Sequence, residues 1–156
     1  MKHEHNITKA VKGEKVDFKN PDPAFYQALG HDGMQDLMYK FYDKIYDSDI
    51  AHFFPQDPVE FEKVKIKNTK FFIQICGGPS IYDESMKGVD LNKYMIDLHK
   101  DFSIYLKSRD EWLGTFREVL EEVEMDEDIK DDFWNYLDKF SKMTVNRWPK
   151  ESAYVN

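Results

Sequence analysis

Apolar residues along this 156-residue chain recur at intervals of three and four rather than at alternate positions, which is the period of helices. In MQDLMYKFYDKIY, residues Met34, Leu37, Met38, Phe41, Tyr42 and Ile45 fall on one helix face. The following SDIAHFFPQDP interrupts the pattern with Pro55 and Pro58. Asp57 suits an N-cap, Pro58 the first helical position and Glu60 the return partner of a capping box. A second helix is therefore predicted here, with Phe61, Val64, Phe71, Phe72 and Ile75 inward. Gly77, Gly78 and Pro79 end it, and a loop runs on to Gly88. Asp90 can cap a third segment, in which Leu91, Tyr94, Met95, Leu98, His99 and Phe102 share a face. Ser108 and Glu111 form another capping-box pattern, for a helix with Trp112, Phe116, Val119, Leu120 and Val123 inward. The last helix is expected from near Ile129 through Phe133, Leu137 and Phe140 toward Trp148, just before Pro149. No stretch alternates with period two over a useful length, so the expected fold class is all-α.

Residues 1–24 are polar, lack a sustained period and contain the turn-like NPDP, so they read as an extension, free to be flexible, ahead of a domain over 25–156. A hydrophobic content of 41%, with 15% aromatic residues, suffices for one sizeable core. The net charge of −8 is spread over the helix surfaces and argues against nucleic acid or an anionic membrane as partner. MKHEHNITKAVKGEK holds no apolar run of the kind a signal peptide or membrane span needs, so a cytoplasmic protein is expected. Cys76 stands alone and reads as a buried, inert thiol.

The helical period also turns polar groups inward. Tyr42, Asn68, His99 and Trp112 each lie on the apolar face of a different helix. A buried donor or acceptor left unpaired costs roughly 1–3 kcal/mol, so such a set suggests a shared internal site. The plainer reading is that Tyr42 and Trp112 are core aromatics and that His99 bonds a neighbouring carbonyl; periodicity alone leaves both open. A multi-ligand metal centre lacks its residues, because the histidines are His3, His5, His31, His52 and His99, with no Glu-x-x-His pair on an apolar face. No Gly-x-Ser-x-Gly elbow or phosphate-binding loop is present either. One cofactor needs only a single inward histidine: heme takes one strong proximal ligand, an apolar slot and distal hydrogen-bond donors.

The ordered pieces YQALGHDG at 26–33, FYDKIY at 41–46, FFP at 53–55, FFIQICGGPSIY at 71–82, His99-x-x-Phe102, RDEWL at 109–113 and MTVN at 143–146 resemble the truncated hemoglobins, most closely their second group. The resemblance implies a globin-like two-over-two helical sandwich around one heme b, iron protoporphyrin IX, with His99 as the iron ligand. It implies Tyr42 as the distal hydroxyl, Trp112 as the indole facing the bound ligand, and Asn68 and Val64 as distal-helix positions. Phe54, or Phe53 if the turn is shifted, should pack at the heme edge, Phe71, Phe72 and Phe102 at its face, and Lys93, Tyr94 and Lys100 are the candidates near its propionates. Where relatives carry basic residues before the histidine, this chain has Ile96, Asp97 and Leu98, and its loop from Gly88 to His99 is longer.

The implied function is binding of O2, NO, CO or related small ligands, with NO dioxygenation or peroxide-dependent chemistry as the reactions to test. Turnover would need a separate reductase, because the chain holds no flavin or nicotinamide fingerprint. The alternatives are a non-catalytic oxygen carrier or sensor, and a heme-free helical interaction protein that has kept the fold.

Overall fold

The computed structural model describes residues 4–82 and 90–149, so the stretch through Gly88 that the sequence reads as a long loop lies mostly outside the described residues. Within them the secondary structure is five α-helices and one 3-10 turn, without strands. Helix α1 spans Ala24–Tyr46, α2 Pro58–Ile75, α3 Leu91–His99, α4 Leu106–Glu121 and α5 Glu127–Lys142, with the 3-10 turn at Ala51–Phe53. Helix α1 is the hub, packing on α2, α4 and α5, and α4 packs in turn on α5.

The inward faces follow from the apolar period. Phe25 stacks on Phe133 with centroids 4.0 Å apart, and Phe41 stacks on Phe116 at 3.7 Å. These pairs tie α1 to α5 and to α4, and their combined apolar burial is the main stabilising term of the fold. Helix α1 is broken at Gly30, whose φ of 71° and ψ of 179° would strain a residue with a Cβ. At the end of α2, Gly77 has φ 89°, which turns the chain so that Gly78 approaches the Ile73 carbonyl.

Four local expectations are corrected. Asp57 does cap α2 by accepting from the Glu60 N–H at 3.1 Å, but the Glu60 carboxylate pairs with Lys63 rather than returning to the cap. Helix α4 starts at Leu106 instead of after Ser108; the Ser108 hydroxyl accepts from the Tyr105 N–H at 3.3 Å, so it serves the cap from inside the first turn. Helix α5 starts at Glu127 because Asp126, not a residue nearer Ile129, is the N-cap. It stops at Lys142, since beyond it Asn146 bonds Ile104 through backbone and side chain and leaves the helical path.

The segment before α1 packs onto the bundle. His5 stacks on Trp134, whose indole N–H donates to the Asn6 carbonyl at 2.9 Å. Phe18 lies against Tyr136 and Phe140. Between these points Thr8 donates through its N–H and its hydroxyl to the Asp138 carboxylate.

Candidate functional site

A cavity of about 400 Å³ opens between α2, α3, α4 and α5, within the size range of roughly 300–1,000 Å³ usual for small-molecule sites. Its end wall is the turn carrying Phe53, Phe54 and Pro55. Helix α2 contributes Val64 and Asn68, and α3 contributes Met95, Leu98 and His99. Helix α4 adds Trp112 and Arg109, and α5 adds Phe140 and Ser141. The lining is mostly apolar, with a few polar groups converging on it.

His99 ends α3 and stands with its ring between Phe102, at 6.5 Å, and the edge of Phe140, at 6.3 Å. Its Nδ1 lies 2.6 Å from the Met95 carbonyl. A carbonyl can only accept, so Nδ1 carries the proton and Nε2 keeps its lone pair. Burial pushes the imidazole pKa down, against the raising effect of the Met95 bond, so the ring is neutral at neutral pH. The carbonyl bond that an ordinary core histidine would need is thus present, yet it uses one nitrogen. The other is a fixed, unprotonated donor on the cavity wall.

Asn68 and Trp112 line the same cavity from α2 and α4. The Trp112 ring is held edge-on against Phe41 and Phe116. Tyr42, fully inside α1, packs edge-on to Phe54 and Phe61 behind this wall, with the Asn68 amide beside its hydroxyl. Burial drives the Tyr42 phenol far above the usual tyrosine range, and Asn68 only partly offsets this, so the hydroxyl stays protonated and able to donate.

Of the residues singled out in the sequence, the fold brings together His99, Asn68, Trp112, Val64, Phe54 and Phe102 around one cavity, with Tyr42 buried beside Asn68. Phe71 and Phe72 do not line it. Phe72 packs on Phe116 and Phe133, and Phe71 packs on Phe72, Tyr82 and Phe140, which turns both into the core behind the site. Tyr94 is half-buried away from the cavity, and Lys100 is paired with Asp97 at 2.9 Å. Sequence reasoning gave no role to Arg109, Ser141 or Thr144, which form the polar end of the cavity. Arg109 is 3% exposed, and its guanidinium donates to the Ser141 hydroxyl, the Asp138 carboxylate and carbonyl and the Thr8 carbonyl. Burial lowers its pKa, and the Asp138 charge pulls it back. An arginine at a helix start normally reads as solvent-facing, so only the pairing with Asp138 on α5 could have revealed it.

The donor set suits heme. One imidazole with a free Nε2 faces the cavity, and among the described residues no group of three or more His, Cys, Asp or Glu could hold a bare metal ion. Any metal held here would take its remaining ligands from a prosthetic group. Leu98 and Phe102, 40% and 43% exposed, are large apolar side chains at the cavity wall that a flat apolar group would cover. The family model of the bacterial-like globins matches residues 24–146. The chain belongs to that family. It is similar to the group 2 truncated hemoglobin YjbI of Bacillus subtilis (strain 168), with 24% identity over 127 residues, 81% of this chain and 91% of that protein. The crystal structure of phosphate-bound Hell's gate globin IV superposes with a TM-score of 0.75 at 23% identity, covering 91% of this chain and 89% of that one. The group II truncated hemoglobin of Bacillus anthracis gives 0.69 at 18% identity, covering 89% and 99%. The fold is that of the truncated globins, and membership of the family implies a heme cofactor and the binding of small gaseous ligands. Among the described residues no helix is long and apolar enough to cross a membrane.

Proposed function

We propose that the protein would hold heme b through Nε2 of His99, with Trp112 and Asn68 on the cavity lining and Tyr42 behind Asn68 as the groups that would meet bound O2 or NO. The observation that carries this reading is the neutral His99 ring, locked by its 2.6 Å bond to the Met95 carbonyl and facing an apolar cavity. When bound, the heme supplies an iron position open to a diatomic molecule and the one-electron chemistry that goes with it. The protein supplies the rest. The Met95 bond fixes the imidazole tautomer and raises its basicity, as such bonds do for metal-ligating histidines. Phe54, Val64 and Phe102 exclude water, while the Trp112 N–H, the Asn68 amide and, behind it, the Tyr42 hydroxyl offer protons to a polar ligand. Several donors aimed at one ligand slow its release, which favours chemistry on the ligand over carriage. NO dioxygenation and peroxide-dependent oxidation are the reactions we assign to it, in the cytoplasm, with a separate reductase returning electrons. The acidic surface suits neither nucleic acid nor membrane as a partner.

The first test is the absorption spectrum of purified protein titrated with hemin. A Soret band saturating at one hemin per chain is expected; a protein that takes up none ends the heme reading. Mixing the oxygenated protein with NO, and separately with peroxide, in a stopped-flow instrument then divides enzyme from carrier. Nitrate formation or donor oxidation at rates above free hemin is expected, and their absence leaves the carrier.

A further inference from the structure

The helix that bears His99 is short. Nine residues are fewer than the roughly 12–15 at which isolated helices become even marginally stable, and only Leu91 and Met95 of α3 are buried. Apolar packing therefore holds α3 weakly, although His99 needs a defined depth and tilt. What fixes the helix is a side-chain amide at each end. In its first turn, Asn92 accepts from the Tyr136 hydroxyl at 2.6 Å and donates to the Asn20 side chain at 2.6 Å, joining α3 to α5 and to the segment before α1. At the other end, Asn146, just beyond α5, reaches back across the chain. Its amide nitrogen donates to the carbonyls of Phe102, at 2.7 Å, and of His99 itself, at 3.3 Å. Its amide oxygen accepts from the Ile104 N–H at 2.9 Å, and its own backbone N–H donates to the Ile104 carbonyl at 3.0 Å.

A helix end leaves carbonyls without intrahelical partners, so a donor brought from elsewhere both satisfies them and anchors them. Only an amide donates and accepts in the same plane as this site requires; a carboxylate would keep the Ile104 bond and lose both donations. The ring of His99 is already oriented by Met95. We propose that Asn146 is the positioning residue for His99: it fixes the backbone of the histidine, with Asn92 as the counter-anchor, and so sets how strongly Nε2 can engage a metal on the cavity side. The consequence for a bound iron rests on the heme reading; the anchoring of α3 does not.

The test uses the purified full-length chain with Asn146→Asp and Asn146→Ala. Arg147→Ala is the control, because the Arg147 backbone bond to Ile104 survives that change. Hydrogen exchange read over Leu91–Phe102 should become at least roughly tenfold faster in Asn146→Asp, which loses two side-chain hydrogen bonds, and faster still in Asn146→Ala, which loses three, with α1, α2 and α5 protected as before. After hemin loading and reduction, the iron–histidine stretching band in the resonance Raman spectrum should shift in both variants and stay fixed in Arg147→Ala. Unchanged exchange over α3 in both variants overturns the proposal. So does a uniform loss of protection in all helices, which would mark Asn146 as a general structural residue. Faster α3 exchange with an unmoved band would confine Asn146 to anchoring and overturn its positioning role. Failure of every protein to take up hemin would instead sink the heme reading, while the exchange data still judge the anchor.

Discussion

Tyr42 shows how one residue answers to both core and site. Its ring belongs to the aromatic packing with Phe54 and Phe61, whereas its hydroxyl, held protonated by burial, lies beside Asn68. Removing that hydroxyl keeps the packing and deletes one donor. Tyr42→Phe and Trp112→Phe are each expected to speed O2 dissociation by roughly tenfold, the worth of one hydrogen bond, and stopped-flow dissociation measures it. Wild-type release as fast as in both variants would show that these groups do not touch the ligand. His99→Ala removes the donor atom itself and should abolish the saturating Soret band in the hemin titration. These four polar positions were legible in the sequence because a 3.6-residue period says which side chains turn inward. It cannot say which inward side chains meet an open space. Phe71 and Phe72 have the same period as Val64 and Asn68, yet α2 passes from the cavity into the Phe116–Phe133 core along its length, and only the packing of three helices decides where that change occurs.

Elements are joined here by a buried ion pair that no local pattern announces. Arg109 on α4 meets Asp138 on α5 at 2.7 Å, with side chains 2% and 6% exposed, and Thr8 completes the hydrogen bonding of both partners. Breaking such a pair from one side leaves a desolvated charge, which costs about 3–5 kcal/mol. Asp138→Ala should therefore lower the urea-unfolding free energy by that amount, while replacing Thr8 by Ala, which keeps its backbone N–H and carbonyl, should cost no more than about 1.5–3 kcal/mol. Equal, small losses in the two variants would show that the pair is not the joint between α4, α5 and the leading segment. The sequence reads that segment as an extension because it is polar and lacks a sustained period. Its attachment is polar and aromatic instead, through Thr8, His5, Asn6 and Phe18, and each of those bonds depends on a partner more than a hundred residues away. Helix starts failed for a related reason: Ser108 is a capping residue, but whether it caps from the N-cap or from within the first turn depends on where the chain leaves the extended conformation, here at Tyr105.

For the whole molecule, the order of the helices followed from the apolar period, which allowed about five or six where the described residues form five, because burial of one face per helix dominates the folding energy and is written locally. That same burial traps three groups that ionise in alkali. Tyr136 and Cys76 are pushed up chiefly by desolvation, with the Asp90 charge adding at Tyr136 and the Asp132 charge at Cys76. Tyr42 is raised by burial despite Asn68. In the unfolded chain the same groups release their protons at roughly pH 8.5–10, so above that range the folded state holds more protons than the unfolded one. Stability contributed by keeping them neutral is then fully present below about pH 8.5 and is lost as pH rises through the unfolded values, by about 1.4 kcal/mol per pH unit for each group. Above pH 10 all three act together, and the unfolding free energy should fall by roughly 4 kcal/mol per unit. Urea unfolding followed by circular dichroism between pH 8 and 11 measures this. Tyr136→Phe and Cys76→Ala should each remove about a third of the slope above pH 10, even though each also lowers the stability at pH 8. A slope that stays the same in both variants would mean that these side chains are hydrated in the folded protein, contrary to their burial.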